Sequence, residues 1–314
     1  MIVDIRCVEL ELVSHTTPGP EHAAASWRGL LDRLAYALYV PVQLTVRVLR
    51  KSVLVPQEAG EAVFLDEEES DRVIATAREA VPRGRPLIIG TGRESTRGTI
   101  RATKRAAELG ADFVLVRTPG FFKSQMTNDA FVRHYSAVAD ASPAPVLLYN
   151  FTAVTGVNLL PAAVARLATH PNIAGMKESG GDIAQIADLV SGTPDRFAVL
   201  AGTTATFYAA LCVGCVGGIL APACIVPHLC VRLFALTSEG RHAEARALQA
   251  ELMPLARLLG LAYGVPGLKA ALKLAGYDLG EPRSPLAPVS DEAVAALRQV
   301  LAQLEQTTLA SRQS

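Results

Sequence analysis

The stretch Ile173-Ala-Gly-Met-Lys-Glu-Ser-Gly-Gly-Asp182 leads an apolar run straight into a lysine, then a Ser-Gly-Gly turn, then an aspartate. An apolar run closed by glycines and by an Asp suited to cap a helix reads as a buried strand, a tight turn and a helix start. Lys177 then stands at the carboxyl end of the strand, which is where parallel β/α barrels carry their chemistry. Desolvation disfavours the charged form of a lysine, and a neutral amine attacks a ketone carbon to give a Schiff base. The plainer reading, a strand-end lysine reaching out to water, stays open on this stretch alone.

Outward from it the same alternation recurs. Strands are expected at residues 87–91, 112–117, 145–149, 173–177, 197–201 and 217–220. Helices are expected between them, at 96–109, 127–141, 160–169, 182–191 and 204–213. Apolar runs alternating with amphipathic helices indicate parallel β/α units. An eight-stranded barrel needs two further strands from residues 1–60. There, residues 3–13 read as a strand, 27–38 as a helix and 40–55 as a long alternating strand carrying Arg47, Arg50 and Lys51. Beyond Pro227 the pattern is helical only, at 226–239, 242–261, 266–275 and 291–306. The expected architecture is a (β/α)8 TIM barrel over residues 1–225, its first two strands poorly marked, followed by a C-terminal helical extension over 226–314.

Composition narrows the function. The chain has 314 residues, half of them hydrophobic, enough for a large core. Lys plus Arg and Asp plus Glu both number 30, so no basic excess points to nucleic acid or an anionic membrane. Aromatic residues make up 5%, too few for base-stacking platforms. Residues 197–227 carry no charge, but glycines and prolines interrupt them, which fits short buried strands better than a membrane span. Cys212 and Cys215 form a lone C-x-x-C without a second pair. With Cys7, Cys224 and Cys230 they read as small core residues of a reducing compartment, so a cytoplasmic location and no metal are expected.

The other strand ends supply partners for Lys177. Tyr149 closes the preceding strand, so its hydroxyl is expected to approach the amine and to relay protons. Gly90-Thr-Gly92 and Gly202-Thr-Thr204 close other strands, where small residues admit a substrate to backbone amides and hydroxyls. The expected substrate contacts are Thr91, Gly202, Thr203 and Ile219. His134 and His170 fall away from the strand ends and read as structural, and Glu178 is expected to point away from Lys177.

Tyr149-Asn150, Thr155-Gly156, Gly175-Met-Lys-Glu-Ser-Gly180 and the Gly202 turn together resemble the dihydrodipicolinate synthase / N-acetylneuraminate lyase family. Gly90-Thr-Gly-Arg-Glu-Ser-Thr96 and Gly264-Val-Pro-Gly-Leu-Lys269 fit as well, and the resemblance covers residues 60–306. Within it, His170-Pro-Asn-Ile173 followed by Gly-Met-Lys looks most like the 4-hydroxy-2-oxoglutarate aldolases. The resemblance implies a pyruvate-handling class I lyase, with Lys177 as the Schiff-base lysine and Tyr149 as the proton-transfer residue. It implies a 2-oxo acid substrate, no cofactor beyond the lysine itself, and a homotetramer or dimer.

Three departures stand out. Val154 occupies the place where synthases of the family usually carry a carboxylate-binding arginine, which argues against synthase chemistry. Phe121 stands where many members have a tyrosine, and it has no hydroxyl to relay a proton. Gln57-Glu-Ala59 precede Gly60-Glu61 where the family has a hydroxyl-bearing glycine loop, a break that a shifted reading frame over about residues 38–59 would produce. The expected activity is cleavage of a 4-hydroxy-2-oxo or 2-keto-3-deoxy acid to pyruvate and an aldehyde such as glyoxylate. The alternatives are a dehydratase or synthase of the same family, or an impaired barrel acting as subunit partner or ligand sensor.

Overall fold

The computed structural model describes residues 37–39, 52–55, 61–82 and 84–310. Eight strands line up in chain order: β1 Ala37–Tyr39, β2 Ser52–Val55, β3 Leu87–Gly90, β4 Phe113–Arg117, β5 Val146–Asn150, β6 Ile173–Glu178, β7 Ala198–Ala201 and β8 Gly217–Gly218. Every adjacent pair is parallel. β8 returns beside β1 and closes the ring. β4, β5, β6 and β7 are buried along nearly their whole length, as their unbroken apolar sequences require of strands covered on both faces. Glycine is obligatory at Gly175, because a Cβ there would lie 2.3 Å from the Ala198 carbonyl oxygen of β7.

The helices between strands start where the sequence offers a cap. α1 (Glu67–Ala80) opens with a capping box between Asp66 and Glu69. α2 (Thr96–Glu108) is capped by Ser95, α3 (Asn128–Ala141) by Thr127, and α4 (Pro161–Leu167) carries Pro161 in its first turn. α5 (Ile183–Ser191) is capped by Asp182, whose carboxylate accepts from the Ala184 and Gln185 amides. α6 (Phe207–Cys212) follows a single tight turn at Thr204–Thr206. α7 (Pro227–Ser238), α8 (His242–Arg257), α9 (Gly264–Leu274) and α10 (Asp291–Ala310) complete the described chain.

Several expectations need correction. The helix expected over residues 27–38 conflicts with β1, in which Ala37 and Leu38 are strand paired to Ser52 and Val53. Of the strand expected at 40–55, the described part is Ser52–Val55; the strand expected at 3–13 and Cys7 lie outside the described residues. α1 was not among the expected helices. The helix expected at 242–261 is α-helical to Arg257, with Pro254 inside it, and continues as a π turn over Leu258–Ala262 in which Gly260 leaves helical geometry (ψ −121°). Cys212 is exposed, whereas Cys215, Cys224 and Cys230 are buried as expected of small core residues. Burial pushes the Cys215 and Cys230 thiols up to about 12 and the Cys224 thiol higher still, so these buried thiols stay protonated and inert.

Candidate active site

β5 and β6 pair in a register that sets Tyr149 opposite Lys177 and Asn150 opposite Glu178. Neighbours in register project from the same face of a sheet, so the two side chains meet. The Lys177 Nζ stands 3.1 Å from the Tyr149 hydroxyl and 4.2 Å from the centre of its ring. Lys177 is only 4% exposed, which sets aside the reading of a lysine extended into water. In a parallel barrel all carboxyl strand ends open on one face, so this pair lies at the mouth where βα loops converge.

Glu178 turns away from this pair, as the alternation of a strand requires. Its Oε1 accepts from the Gly180 amide at 2.5 Å, and its Oε2 accepts from Asn150 Nδ2 at 2.7 Å and Gln185 Nε2 at 3.3 Å. Asn150 Nδ2 also donates to Asn158 Oδ1, and Asn150 Oδ1 accepts from the Leu159 amide. The carboxylate thus ties the ends of β5 and β6 to the loop before α4 and to α5. Burial holds its carboxyl above the usual range, against the lowering effect of these amide donors.

Ser179 is a member of this neighbourhood that the sequence reading missed. Its amide donates to the Asn150 carbonyl at 2.9 Å, so the strand pairing continues one residue and returns Ser179 to the face of Lys177. It is 6% exposed, and its Oγ has no partner among the described residues. A buried hydroxyl without a partner is uncommon and marks a place for water or ligand. The sequence signal was available: Ser179 lies two residues beyond Lys177, one strand period on.

The other expected contacts fall unevenly. Gly202 lies beside Ser179: its amide donates to the Glu178 carbonyl at 2.7 Å, and a Cβ on it would be 1.8 Å from Ser179 Oγ. Thr203 packs its methyl 3.3 Å from where a Cβ on Gly181 would be, which places it against the turn after β6. Ile219 is buried just beyond β8, its amide bonded to the Ala201 carbonyl at 2.8 Å. Thr91 is a correction: its hydroxyl is 2.9 Å from that of Thr103 on α2, so it faces the outer helix instead of Lys177. Gln249 of α8 clasps the turn after β7, accepting from the Tyr208 amide at 3.0 Å and donating to the Thr204 carbonyl at 2.9 Å.

The histidines are placed as structural groups. His134 is buried, with Nδ1 2.9 Å from Thr96 Oγ1, and burial lowers its pKa to about 4. His170 Nε2 meets Asp140 at 3.0 Å on the surface. Phe121 is 78% exposed and stacks edge-on with Phe122, so the described chain does not bring it to Tyr149. Its loop is held by Glu94, whose Oε2 accepts from the Gly120 and Phe121 amides. Val154 is also exposed. Among the described residues no group of His, Cys, Asp and Glu could hold a metal ion, and no helix is long and apolar enough to cross a membrane.

A buried Lys–Tyr pair at the mouth of a parallel barrel is the arrangement the sequence resemblance implies. The profile of the Dihydrodipicolinate synthetase family matches residues 30–304. The chain belongs to this family. It is 34% identical over 279 residues to a 4-hydroxy-tetrahydrodipicolinate synthase of an Exiguobacterium strain, covering 88% of this chain and 94% of that one. It is 37% identical over 257 residues to a probable mitochondrial 4-hydroxy-2-oxoglutarate aldolase of Emericella nidulans, covering 80% and 82% respectively. Among solved structures it is similar to the dihydrodipicolinate synthase DapA-2 of Bacillus anthracis, with a TM-score of 0.81 and 26% identity over 85% of this chain and 96% of that one. These neighbours are TIM barrels, and membership of the dihydrodipicolinate synthetase family makes the chain a class I aldolase or synthase.

Proposed function

We propose that the protein is a Schiff-base aldolase that cleaves a 4-hydroxy-2-oxo acid or a 2-keto-3-deoxy acid into pyruvate and an aldehyde such as glyoxylate. The observation that carries this reading is the 3.1 Å approach of Lys177 Nζ to the Tyr149 hydroxyl in a buried site at the strand ends. Lys177 attacks C2 of the substrate, and loss of water leaves an iminium. Tyr149 relays the proton from the C4 hydroxyl. The C3–C4 bond breaks, its electrons pass into the iminium, and the aldehyde leaves behind an enamine. Protonation at C3 and hydrolysis release pyruvate and return the free amine. Gly202 and Ser179 line the same end, where the unpartnered hydroxyl is a natural contact for the oxygen-rich substrate.

Cleavage is favoured over condensation by Val154, which leaves an exposed aliphatic side chain where the synthases of the resemblance hold a carboxylate with arginine. Borohydride reduction in the presence of pyruvate, followed by peptide mass spectrometry, is the direct test. A reduced pyruvyl adduct on Lys177 is expected, together with pyruvate release from at least one hydroxy-oxo acid in a panel. An adduct elsewhere, or none in folded protein, overturns the reading. An adduct without cleavage of any panel member, but with condensation of pyruvate onto a carboxylate-bearing aldehyde, replaces it with a synthase.

A further inference from the structure

Tyr149 and Lys177 are each followed by a buried polar residue, and these two followers also meet. Asn150 and Glu178 are paired in register, and they are 0% and 1% exposed. Asn150 Oδ1 accepts from the Leu159 amide at 3.0 Å, which turns its Nδ2 towards Glu178 Oε2 at 2.7 Å. Glu178 Oε1 accepts from the Gly180 amide, and a Cβ on Gly180 would be 2.7 Å from that oxygen, so the turn after β6 seats the carboxylate against bare backbone. Asn158 and Gln185 close the network from outside. Asn150 Nδ2 donates to Asn158 Oδ1 at 2.7 Å, Asn158 Nδ2 to Gln185 Oε1 at 2.8 Å, and Gln185 Nε2 to Glu178 Oε2 at 3.3 Å. β5 and β6 therefore carry side-chain bonds at two successive register pairs, Tyr149–Lys177 on one face and Asn150–Glu178 on the other.

Stability alone does not account for this network. A buried carboxylate is costly to desolvate, and apolar side chains of similar volume would hold two strands together at least as well. Hydrogen bonds add direction, because each donor must find its acceptor at a fixed angle and distance. The three groups that meet Glu178 are all donors, which suits an acceptor-only carboxylate on both of its oxygens. The bond on the opposite face has little tolerance. At 3.1 Å, Lys177 Nζ and the Tyr149 hydroxyl stand near the upper end of the range for proton transfer, roughly 2.6–3.2 Å. A slip of one strand end past the other by about 1 Å would take them out of it, a misplacement that costs on the order of 100-fold in rate.

We infer that Glu178 and Asn150 are positioning residues, whose bond behind the site locks the ends of β5 and β6 in the register that aligns the Tyr149 hydroxyl with the Lys177 amine. This rests on the aldolase reading above. Glu178→Gln keeps the size of the side chain but replaces one acceptor oxygen by a donor, which must then face the Gly180 amide or Asn150 Nδ2. The test uses the full-length chain, with pyruvate as the trapping probe and the hydroxy-oxo acid that the wild type cleaves as substrate. Glu178→Gln is expected to trap pyruvate on Lys177 at the wild-type half-saturation, while cleavage slows about tenfold. In a Tyr149→Phe background the same change is expected to slow cleavage by about twofold or less, since the hydroxyl it aligns is already gone. Should Glu178→Gln fail to fold, Asn158→Ala, at an exposed member of the network, is read in the same cycle, with a loss of about threefold expected. An equal loss in both backgrounds, or adduct lost in step with cleavage, overturns this inference alone. No adduct in the wild type overturns the aldolase reading and this inference with it.

Discussion

At the scale of single residues, the site depends on strand alternation. Lys177 and Ser179 share one face and Glu178 takes the other, so three consecutive polar residues have three different surroundings. The lysine meets a phenol, the glutamate meets three amide donors, and the serine hydroxyl has no hydrogen-bond partner among the described residues. This division of labour makes Tyr149 separable from Lys177. Tyr149→Phe keeps the ring under the amine and removes only the hydroxyl, so pyruvate is still expected to be trapped on Lys177. Cleavage of the hydroxy-oxo acid is expected to slow by roughly 10²- to 10³-fold, the usual loss for a general acid–base group. Comparing trapped adduct with turnover checks this; equal loss of both would assign Tyr149 to placing the amine. Lys177 and Tyr149 were legible in the sequence because each ends an apolar run. Thr91 was misread because a strand-end hydroxyl looks the same whether it faces the barrel interior or, as here, Thr103 of an outer helix.

At the scale of elements, helix α3 shows how a buried base is kept neutral. His134 and Tyr135 both point inward from α3; Tyr135 donates to the Val116 carbonyl at 3.1 Å, while His134 Nε2 has no partner among the described residues. Burial lowers the His134 pKa to about 4, so the folded state refuses a proton that the unfolded chain accepts near 6.5. The stability this contributes is therefore present above pH 6.5 and is lost as pH falls from 6.5 towards 4. Over that window the loss is on the order of 3 kcal/mol. Urea midpoints of the wild type and His134→Gln, measured from pH 7.5 to pH 4, are expected to fall more steeply for the wild type. Parallel slopes would rule the histidine out as the cause. Most helices were legible from caps and 3.6-residue periodicity. α1 was legible too, since Asp66-x-x-Glu69 is a capping box, but its long charged start hid the apolar face formed by Ile74 and Ala77.

At the scale of the whole molecule, the barrel closes through its least marked strands. β2 pairs with β3 at Val53–Leu87, Leu54–Ile88 and Val55–Ile89, and β8 returns beside β1. A chain shortened to begin at residue 61 loses both strands and leaves the edge of β3 unpaired. It is expected to aggregate, read by light scattering at concentrations where the full chain stays dispersed; a monodisperse, cooperatively melting product would show that six strands suffice. The pattern of Ile173 to Asp182 and its five sister runs determined by itself that the protein is built of parallel β/α units with a lysine at a strand end, because burial on both faces leaves a continuous apolar signature and a charge at its end is conspicuous. Only the tertiary structure decided that the Thr91 hydroxyl meets Thr103, that Ser179 lies against Gly202, and that the Lys269 ammonium meets the Glu61 carboxylate. Those facts depend on the register between strands and on contacts between residues far apart in the chain, and neither leaves a local periodic trace in sequence.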